Sequence, residues 1–243
     1  MRRSRTASPA RVILLGVSST DSDDQVPAWA RRTEGESRWA ATVAMVGFLV
    51  LQYYMPAQLT PGPRWLVPAL GLCVIVVLVV GAPLRLDREE RWLRNAGLTL
   101  MALLGFAMIW AVIQLVHGLI SGTISGDPAG LLGSGAAVWL SNVLVFALWY
   151  WDFDRGGPAA RAHARKPYPD FLFVQMQNPE VAPPDWEPQF PDYLYLSFTN
   201  ATAFSPTDVM PMSWWAKLTM MVQSGIALVT MSLVIARAVN VLK

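Results

Sequence analysis

Five apolar runs alternate with polar segments along the chain of 243 residues. Each run approaches the length of a membrane-spanning helix, which needs about 20 apolar residues. The alternation predicts an all-α protein, a multi-pass transmembrane helical bundle with about five spans. The predicted spans cover residues 39–54, 65–82, 95–120, 131–151 and 212–239.

The polar segments divide the chain into four regions. Residues 1–37 carry too little apolar surface to offset the entropy of ordering, and we expect a disordered polar tail. Residues 38–151 hold four transmembrane helices. Residues 152–192 form a proline-rich polar loop, in which eight prolines oppose a long regular helix. Residues 193–243 comprise a half-helix and the final transmembrane helix.

The apolar stretch that begins at Tyr193 is too short to cross a bilayer and too apolar for a free loop. Pro206 and Pro211 interrupt it, and a long apolar run follows directly. The pattern predicts a short re-entrant or interfacial half-helix that leads into the last span.

Composition supports the membrane class. The chain is 53% hydrophobic and 15% charged, whereas soluble domains are about 25% charged. Many of the eleven tryptophans stand at the ends of apolar runs, as in an aromatic belt. The net charge of +2 gives no indication of nucleic acid as a partner. The single cysteine, Cys73, excludes a disulfide framework within the chain.

Lysine and arginine are distributed unevenly over the connecting segments. The tail, residues 84–94 and residues 152–192 carry most of the cations, whereas residues 55–64 carry one and residues 121–130 none. Because cytoplasmic loops are enriched in these residues, the pattern predicts that the N-terminus and residues 152–192 both lie in the cytoplasm. Five spans then place the C-terminus outside.

The centres of the predicted spans contain no Asp, Glu, Lys or Arg, which argues against transport that uses membrane carboxylates. Intramembrane polar candidates are Gln114, His117 and Asn142. Gln114 and His117 share one face of a helix and form either a pore-lining or proton-relay pair, or ordinary interhelical hydrogen bonds. We find no catalytic residues, metal-ligand set or cofactor motif, and we expect no enzyme.

The stretch before the last span resembles the pore loop of tetrameric potassium channels, which precedes an inner helix. Seven residues fall in register with that pattern: Tyr195, Ser197, Phe198, Thr199, Thr202, Asp208 and Pro211. The channel filter needs two glycines, whose backbone angles other residues avoid, but residues 203–207 read Ala-Phe-Ser-Pro-Thr. The resemblance therefore implies a degenerate pore loop without potassium selectivity. A channel loop also enters from outside, whereas the charges here place residues 152–192 inside.

A second resemblance rests on residues 89–92, 146–150 and 192–199, with Thr207-Asp208 and Ala238-Val239-Asn240. With these residues the chain resembles the bacterial multi-pass membrane family called domain of unknown function 1345, over residues 40–243. This resemblance implies an architecture and a plasma membrane location (the bacterial inner membrane), and it implies no reaction.

Two functions of different class fit these observations. In the first, the chain forms a non-selective ion or small-solute pore, and one half-pore per chain requires a homo-oligomer, most simply a tetramer. Its lining candidates are Thr199, Asn200, Thr202, Ser205, Thr207, Asp208 and Gln223. In the second, the chain is a non-catalytic structural or accessory membrane protein, and the half-helix only packs. The lipid bilayer is the expected partner in both.

Overall fold

The computed structural model describes residues 26–81, 91–123, 128–202 and 208–241, and these residues are mostly helical. This confirms the all-α class. The eight α-helices of the described residues are α1 (Trp39–Tyr54), α2 (Leu66–Gly81), α3 (Arg91–Ser121), α4 (Pro128–Phe153), α5 (Pro158–Ala162), α6 (Val174–Gln177), α7 (Phe190–Thr202) and α8 (Trp214–Val241). Two short strands, β1 (Phe171–Leu172) and β2 (Met210–Pro211), pair antiparallel.

Helices α3, α4 and α8 are long and apolar enough to cross a membrane, by length and composition. Helices α1 and α2 are apolar too but have only 16 residues each. These five apolar helices follow the five predicted runs closely, because each run is apolar over most of its length and is bounded by polar or proline-containing segments.

Alternating helix ends meet at one end of the bundle, which we call the charged end. Arg38, just before α1, donates a hydrogen bond of 2.6 Å from Nη1 to the Leu78 carbonyl near the end of α2. Arg94 at the start of α3 bonds the Asp152 carboxylate at the end of α4, also at 2.6 Å. The rings of Phe153 and Trp215 pack 6.1 Å apart and add the start of α8. The charged end comprises residues 26–38, 91–94, 152–192 and 208–215.

Small residues bring α4 close to its neighbours. A Cβ atom at Gly105 of α3 would lie 2.5 Å from Trp149, and one at Gly135 of α4 would lie 2.7 Å from Val234 of α8. The Gly105 and Gly135 positions therefore admit a large side chain from the facing helix, as small residues do in membrane bundles.

Residues 26–37 correct the prediction of a disordered tail for that part of the chain. They include a short helical turn at Ala28–Ala30, and Glu36 is only 7% exposed. The reason is that its carboxylate binds residues of α4 and α7, which lie far away in sequence. Residues 1–25 lie outside the described residues.

The proline-rich segment 152–192 folds against the charged end as short helices and turns, as its prolines require. Phe171 and Phe173 are buried there, and Phe171 of β1 pairs with Pro211 of β2. The strand pair therefore fixes the end of this segment beside the start of α8.

The predicted half-helix is α7, which has 13 residues and begins at Phe190. It starts at the charged end, where the Phe190 amide binds Glu36, and passes along α4 as far as Trp139, whose Nε1 donates to the Ala201 carbonyl. The chain is back at the charged end at β2, where the Met212 amide donates to the Asp170 carbonyl at 2.8 Å. Helix α7 therefore begins at the same end of the bundle as β2 and α8.

Candidate functional site

A buried polar cluster joins α4, α7 and α8, and Gln223 is its centre. The Gln223 Oε1 atom accepts hydrogen bonds from Tyr150 Oη and Asn200 Nδ2, each 2.7 Å long. Its Nε2 donates to the carbonyl and the hydroxyl of Ser197, at 3.0 and 2.7 Å. Ser197 in turn donates from Oγ to the Val143 carbonyl at 2.7 Å. Tyr150, Ser197 and Gln223 are each 0% exposed.

Further bonds surround this polar cluster. Asn200 Nδ2 also donates to the Met220 carbonyl at 3.0 Å, and Ser224 Oγ donates to the Asn200 side-chain oxygen at 3.0 Å. Asn142 Nδ2 lies 3.4 Å from the Gln223 carbonyl. Buried polar groups are costly unless they are hydrogen-bonded, so these side chains are held in place by contacts inside one chain. Of the lining candidates, Asn200 and Gln223 are therefore brought together.

The remaining lining candidates are not gathered into one site. Thr199 Oγ1 donates to the Tyr195 carbonyl at 2.9 Å, and Thr202 Oγ1 donates to the Thr199 carbonyl at 2.8 Å. Both hydroxyls thus donate their hydrogen bonds to backbone carbonyls of their own helix. Asp208 accepts a bond from Tyr195 Oη at 3.1 Å. Ser205 and Thr207 lie outside the described residues.

The outward face of α7 is aromatic. Tyr195 and Phe198 are 52% and 48% exposed. The Phe198 ring packs edge-on against Trp139 of α4, with centroids 5.6 Å apart. This face suits lipid or an apolar partner better than a water-filled channel.

The pair Gln114 and His117 does not form on α3. Gln114 Nε2 donates to the Gln58 carbonyl at 3.4 Å, in the connection between α1 and α2, whereas the His117 side chain is exposed. Gln114 therefore contacts the connection between α1 and α2.

A second buried group of residues, the ionic cluster, lies at the charged end around Asp154. Its Oδ2 accepts a hydrogen bond from Tyr193 Oη at 2.6 Å, and its Oδ1 accepts the Asp170 amide at 2.9 Å. Asp170 accepts bonds from the Arg155 amide at 2.8 Å and from Trp215 Nε1 at 2.8 Å. One carboxylate pair thereby connects the end of α4, strand β1, α7 and the start of α8.

Two arginines of the ionic cluster are buried with it. Arg155 has a left-handed backbone with φ 53° and is 1% exposed, and its Nη1 donates to the Trp29 carbonyl at 2.6 Å. Arg161 Nη1 donates to the Trp151 carbonyl at 2.6 Å, and its guanidinium lies 5.1 Å from the Tyr193 ring centroid. Side chains that follow α4 therefore reach both the N-terminal segment and α7.

Glu36 completes the ionic cluster. Its two carboxylate oxygens accept Trp151 Nε1 at 2.7 Å and the Phe190 amide at 2.5 Å, and Arg161 Nη2 is 3.7 Å away. Burial raises the pKa of Glu36 above its ordinary value, while the two hydrogen bonds and Arg161 act in the opposite direction. The carboxylate fixes the start of α7 to the end of α4.

The ionic cluster escaped the sequence analysis. Asp152 and Asp154 directly follow the fourth predicted span, and Asp154 lies in a helical turn, Asp154–Gly156. Their alternation with Trp151 and Phe153 was a weak signal that this turn is buried. Among the described residues, no group of His, Cys, Asp and Glu could hold a metal ion.

Comparison of the chain with protein-family models, curated proteins and solved structures found no match. The resemblance to domain of unknown function 1345 therefore stays a prediction, as does the resemblance to the potassium-channel pore loop.

Proposed function

We propose that the chain is an integral membrane protein of structural or accessory type, in which α7 is a packed half-helix and no solute passes along it. The polar cluster around Gln223 carries this proposal. The side chains that would line a pore, Asn200 and Gln223, are already bonded to Tyr150 and Ser197 within the same chain. The proposal assigns the chain no catalytic step.

Five spans belong to the same proposal, with α1 and α2 as the short ones. The described cations support an orientation: most of them, including Arg31, Arg38, Arg91 and Arg165, belong to the charged end, whereas Arg64 and Arg237 belong to the opposite end. By the positive-inside rule the charged end faces the cytoplasm of a bacterial inner membrane.

The orientation is tested by cysteine labelling of intact cells. Cys73 is exposed and is first replaced by serine. Gln58 at the opposite end and Gln189 at the charged end are both exposed, so single cysteines there form a matched pair. A membrane-impermeant maleimide should label Gln58→Cys in intact cells and Gln189→Cys only after the cells are opened. The reverse pattern would contradict the orientation.

The absence of transport is tested by flux. The purified chain in liposomes should pass no more potassium or sodium than empty liposomes under a gradient of about tenfold, which corresponds to about 1.4 kcal/mol. Thr202→Trp should leave this baseline unchanged, as should the control Val229→Trp on the exposed face of α8. A flux above that of empty liposomes would contradict the proposal if Thr202→Trp reduced it and Val229→Trp left it unchanged.

One observation favours the pore as a second candidate function. Helix α7 enters the bundle and the chain returns at the same end, between α4 and α8, which is the arrangement of a re-entrant pore element. A pore of this kind needs a homo-oligomer, most simply a tetramer, with Thr202 in water. A cysteine at Thr202 should react with a soluble maleimide in that case, and should stay unreacted if α7 only packs.

A further inference from the structure

Two buried polar side chains lie in the middle of the bundle, Gln52 of α1 and Ser141 of α4. Both residues are 0% exposed. Gln52 Nε2, Gln52 Oε1 and Ser141 Oγ have no hydrogen-bond partner among the described residues. Buried polar groups in folded proteins usually bind a protein group or ordered water, because an unsatisfied one is destabilising.

Gln52 and Ser141 lie at nearly the same depth in the bundle. Helix α1 begins at the charged end, and helix α4 ends there. At a rise of 1.5 Å per residue, Gln52 lies about 20 Å along α1 from Trp39, and Ser141 lies about 18 Å back along α4 from Phe153. Their levels therefore differ by less than one helical turn.

Two buried apolar clusters lie on either side of this level. Each cluster contains one residue from α1 and one from α4, placed about one turn from Gln52 and from Ser141 respectively. These residues are Phe48 and Val145 in the cluster nearer the charged end, and Met55 and Val138 in the other. Because α1 packs directly against α4, Gln52 and Ser141 belong to one polar layer between the two clusters.

The Ser141 side chain points away from α7 and α8. Val143 packs with Ala201 of α7 and Ala227 of α8, and two residues turn an α-helix by about 200°. On its other side α4 packs against α1 and α3. Asn142 Oδ1 also has no partner among the described residues, but the amide nitrogen of Asn142 lies towards α8 and joins the polar cluster.

We propose that ordered water binds between Gln52 and Ser141 and bridges α1 to α4. The Gln52 amide requires a ligand that accepts a hydrogen bond from Nε2 and donates one to Oε1, and the Ser141 hydroxyl can do either. Water is the smallest ligand that both donates and accepts. A buried water molecule typically makes about three hydrogen bonds to otherwise unsatisfied groups.

The surroundings favour a neutral ligand over an ion. Neither α1 nor residues 128–151 of α4 contain Asp, Glu, Lys or Arg. An ion in this layer would therefore be buried without an opposite charge on either helix, which is much more costly than burying a neutral group.

This inference needs only the packing of α1 against α4. It therefore succeeds or fails separately from the membrane orientation and from the role of α7 in the proposed function.

Hydroxyl-radical labelling by a short X-ray pulse tests the site, because radicals formed from bound water oxidise the nearest side chains. The purified full chain in detergent is used, and Met55, which is 1% exposed and one turn from Gln52, is the reporter. We expect Met55 to be labelled in wild type and to lose the label in Gln52→Leu. Gln58→Leu is the matched control, since it makes the same exchange at an exposed position, and it should retain the label.

A double-mutant cycle tests whether the water bridges both side chains. Ser141→Ala should lower the melting temperature by about 2–4 °C in wild type, the shift that the loss of one hydrogen bond causes in a chain of this size. In the Gln52→Leu background it should cause no further shift. If Gln52→Leu does not fold, Ser141→Ala replaces it in the labelling experiment, because this variant removes only one oxygen atom.

Three results would overturn the site. The first is Met55 without label in wild type, which together with coupling in the cycle would indicate a direct hydrogen bond between Gln52 and Ser141. The second is label at Met55 that survives Gln52→Leu or is lost equally in Gln58→Leu. The third is an additive effect of the two substitutions on the melting temperature.

Discussion

The polar cluster around Gln223 and the ionic cluster around Asp154 differ in both chemistry and depth. The polar cluster uses amide and hydroxyl groups, and Gln223 lies about 14 Å along α8 from Trp214 at a rise of roughly 1.5 Å per residue. The ionic cluster uses carboxylates and guanidinium groups, and Asp154 comes directly after the last residue of α4.

The difference follows from the cost of removing charge from water. A charged side chain is most expensive at the centre of a bilayer and much less so near its surface, where water and headgroups approach. Neutral groups such as Gln223 and Asn200 cost less to bury once each is hydrogen-bonded. Helix α7 connects both levels: Tyr193 reaches the ionic cluster, and Asn200 reaches the polar one.

The largest expected effect is in the ionic cluster. Asp154→Ala leaves Tyr193 Oη and the Asp170 amide without an acceptor and removes a negative charge beside Arg161. We expect the free energy of unfolding to fall by about 3–5 kcal/mol, as when one partner of a buried ion pair is removed. Denaturant unfolding in detergent micelles measures it. Glu180→Ala, at an exposed position of the same segment, should change little, and equal losses would contradict the role of Asp154.

The next effect is in the polar cluster. Gln223→Leu leaves Tyr150, Asn200 and Ser197 without their amide partner, and we expect a loss of about 1–3 kcal/mol, the cost of unsatisfied buried polar groups. The same unfolding assay measures it, with exposed Met221→Leu as control. If Gln223→Leu stabilised the protein, the cluster would serve another purpose than packing α7.

A smaller effect concerns pH. Burial raises the folded-state pKa of Glu36 above its unfolded value near 4.5, so the folded protein takes up the proton more readily. This contribution to stability is fully present below the unfolded pKa and is lost as pH rises through the folded pKa. The melting temperature of wild type minus that of Glu36→Gln should therefore decrease as pH rises from about 4.5 towards neutral. A difference that widens on raising pH would contradict the sign.

The smallest expected effect is the difference in stability between substitutions on two faces of α7. Thr199 bonds only carbonyls of its own helix, so Thr199→Val should change the free energy of unfolding by less than about 0.5 kcal/mol. Ser197→Ala, which loses contacts to α4 and α8, should cost about 1 kcal/mol. If the order of these two losses were reversed, the exposed face of α7 would carry a contact in an assembly.

The helices were predictable because their signals are local. Length and apolar composition predicted a helix over residues 39–54, which are the bounds of α1. The apolar stretch that is too short to cross a bilayer predicted the half-helix that α7 forms. The sites were not predictable, because their contacts join distant positions. Asn200 and Gln223 were both candidates, but their partner Tyr150 was not, because nothing near it in sequence indicates a contact with Gln223. Glu36 was assigned to the tail because nothing near it in sequence reveals Trp151 or Phe190.

The Glu36 contacts have a consequence for the order of assembly during synthesis. A chain emerges from the ribosome N-terminus first, so Glu36 and α1 leave it long before Phe190 and Arg161 exist. Contacts between such distant positions close late, since the intervening chain must first be arranged. The Glu36 carboxylate therefore stays hydrated until the rest of the chain has been made, and it forms its contacts with Trp151 and Phe190 only when the bundle is complete. A ribosome that stalls before residue 190 would leave the Glu36 carboxylate without the Phe190 amide that it binds in the complete chain.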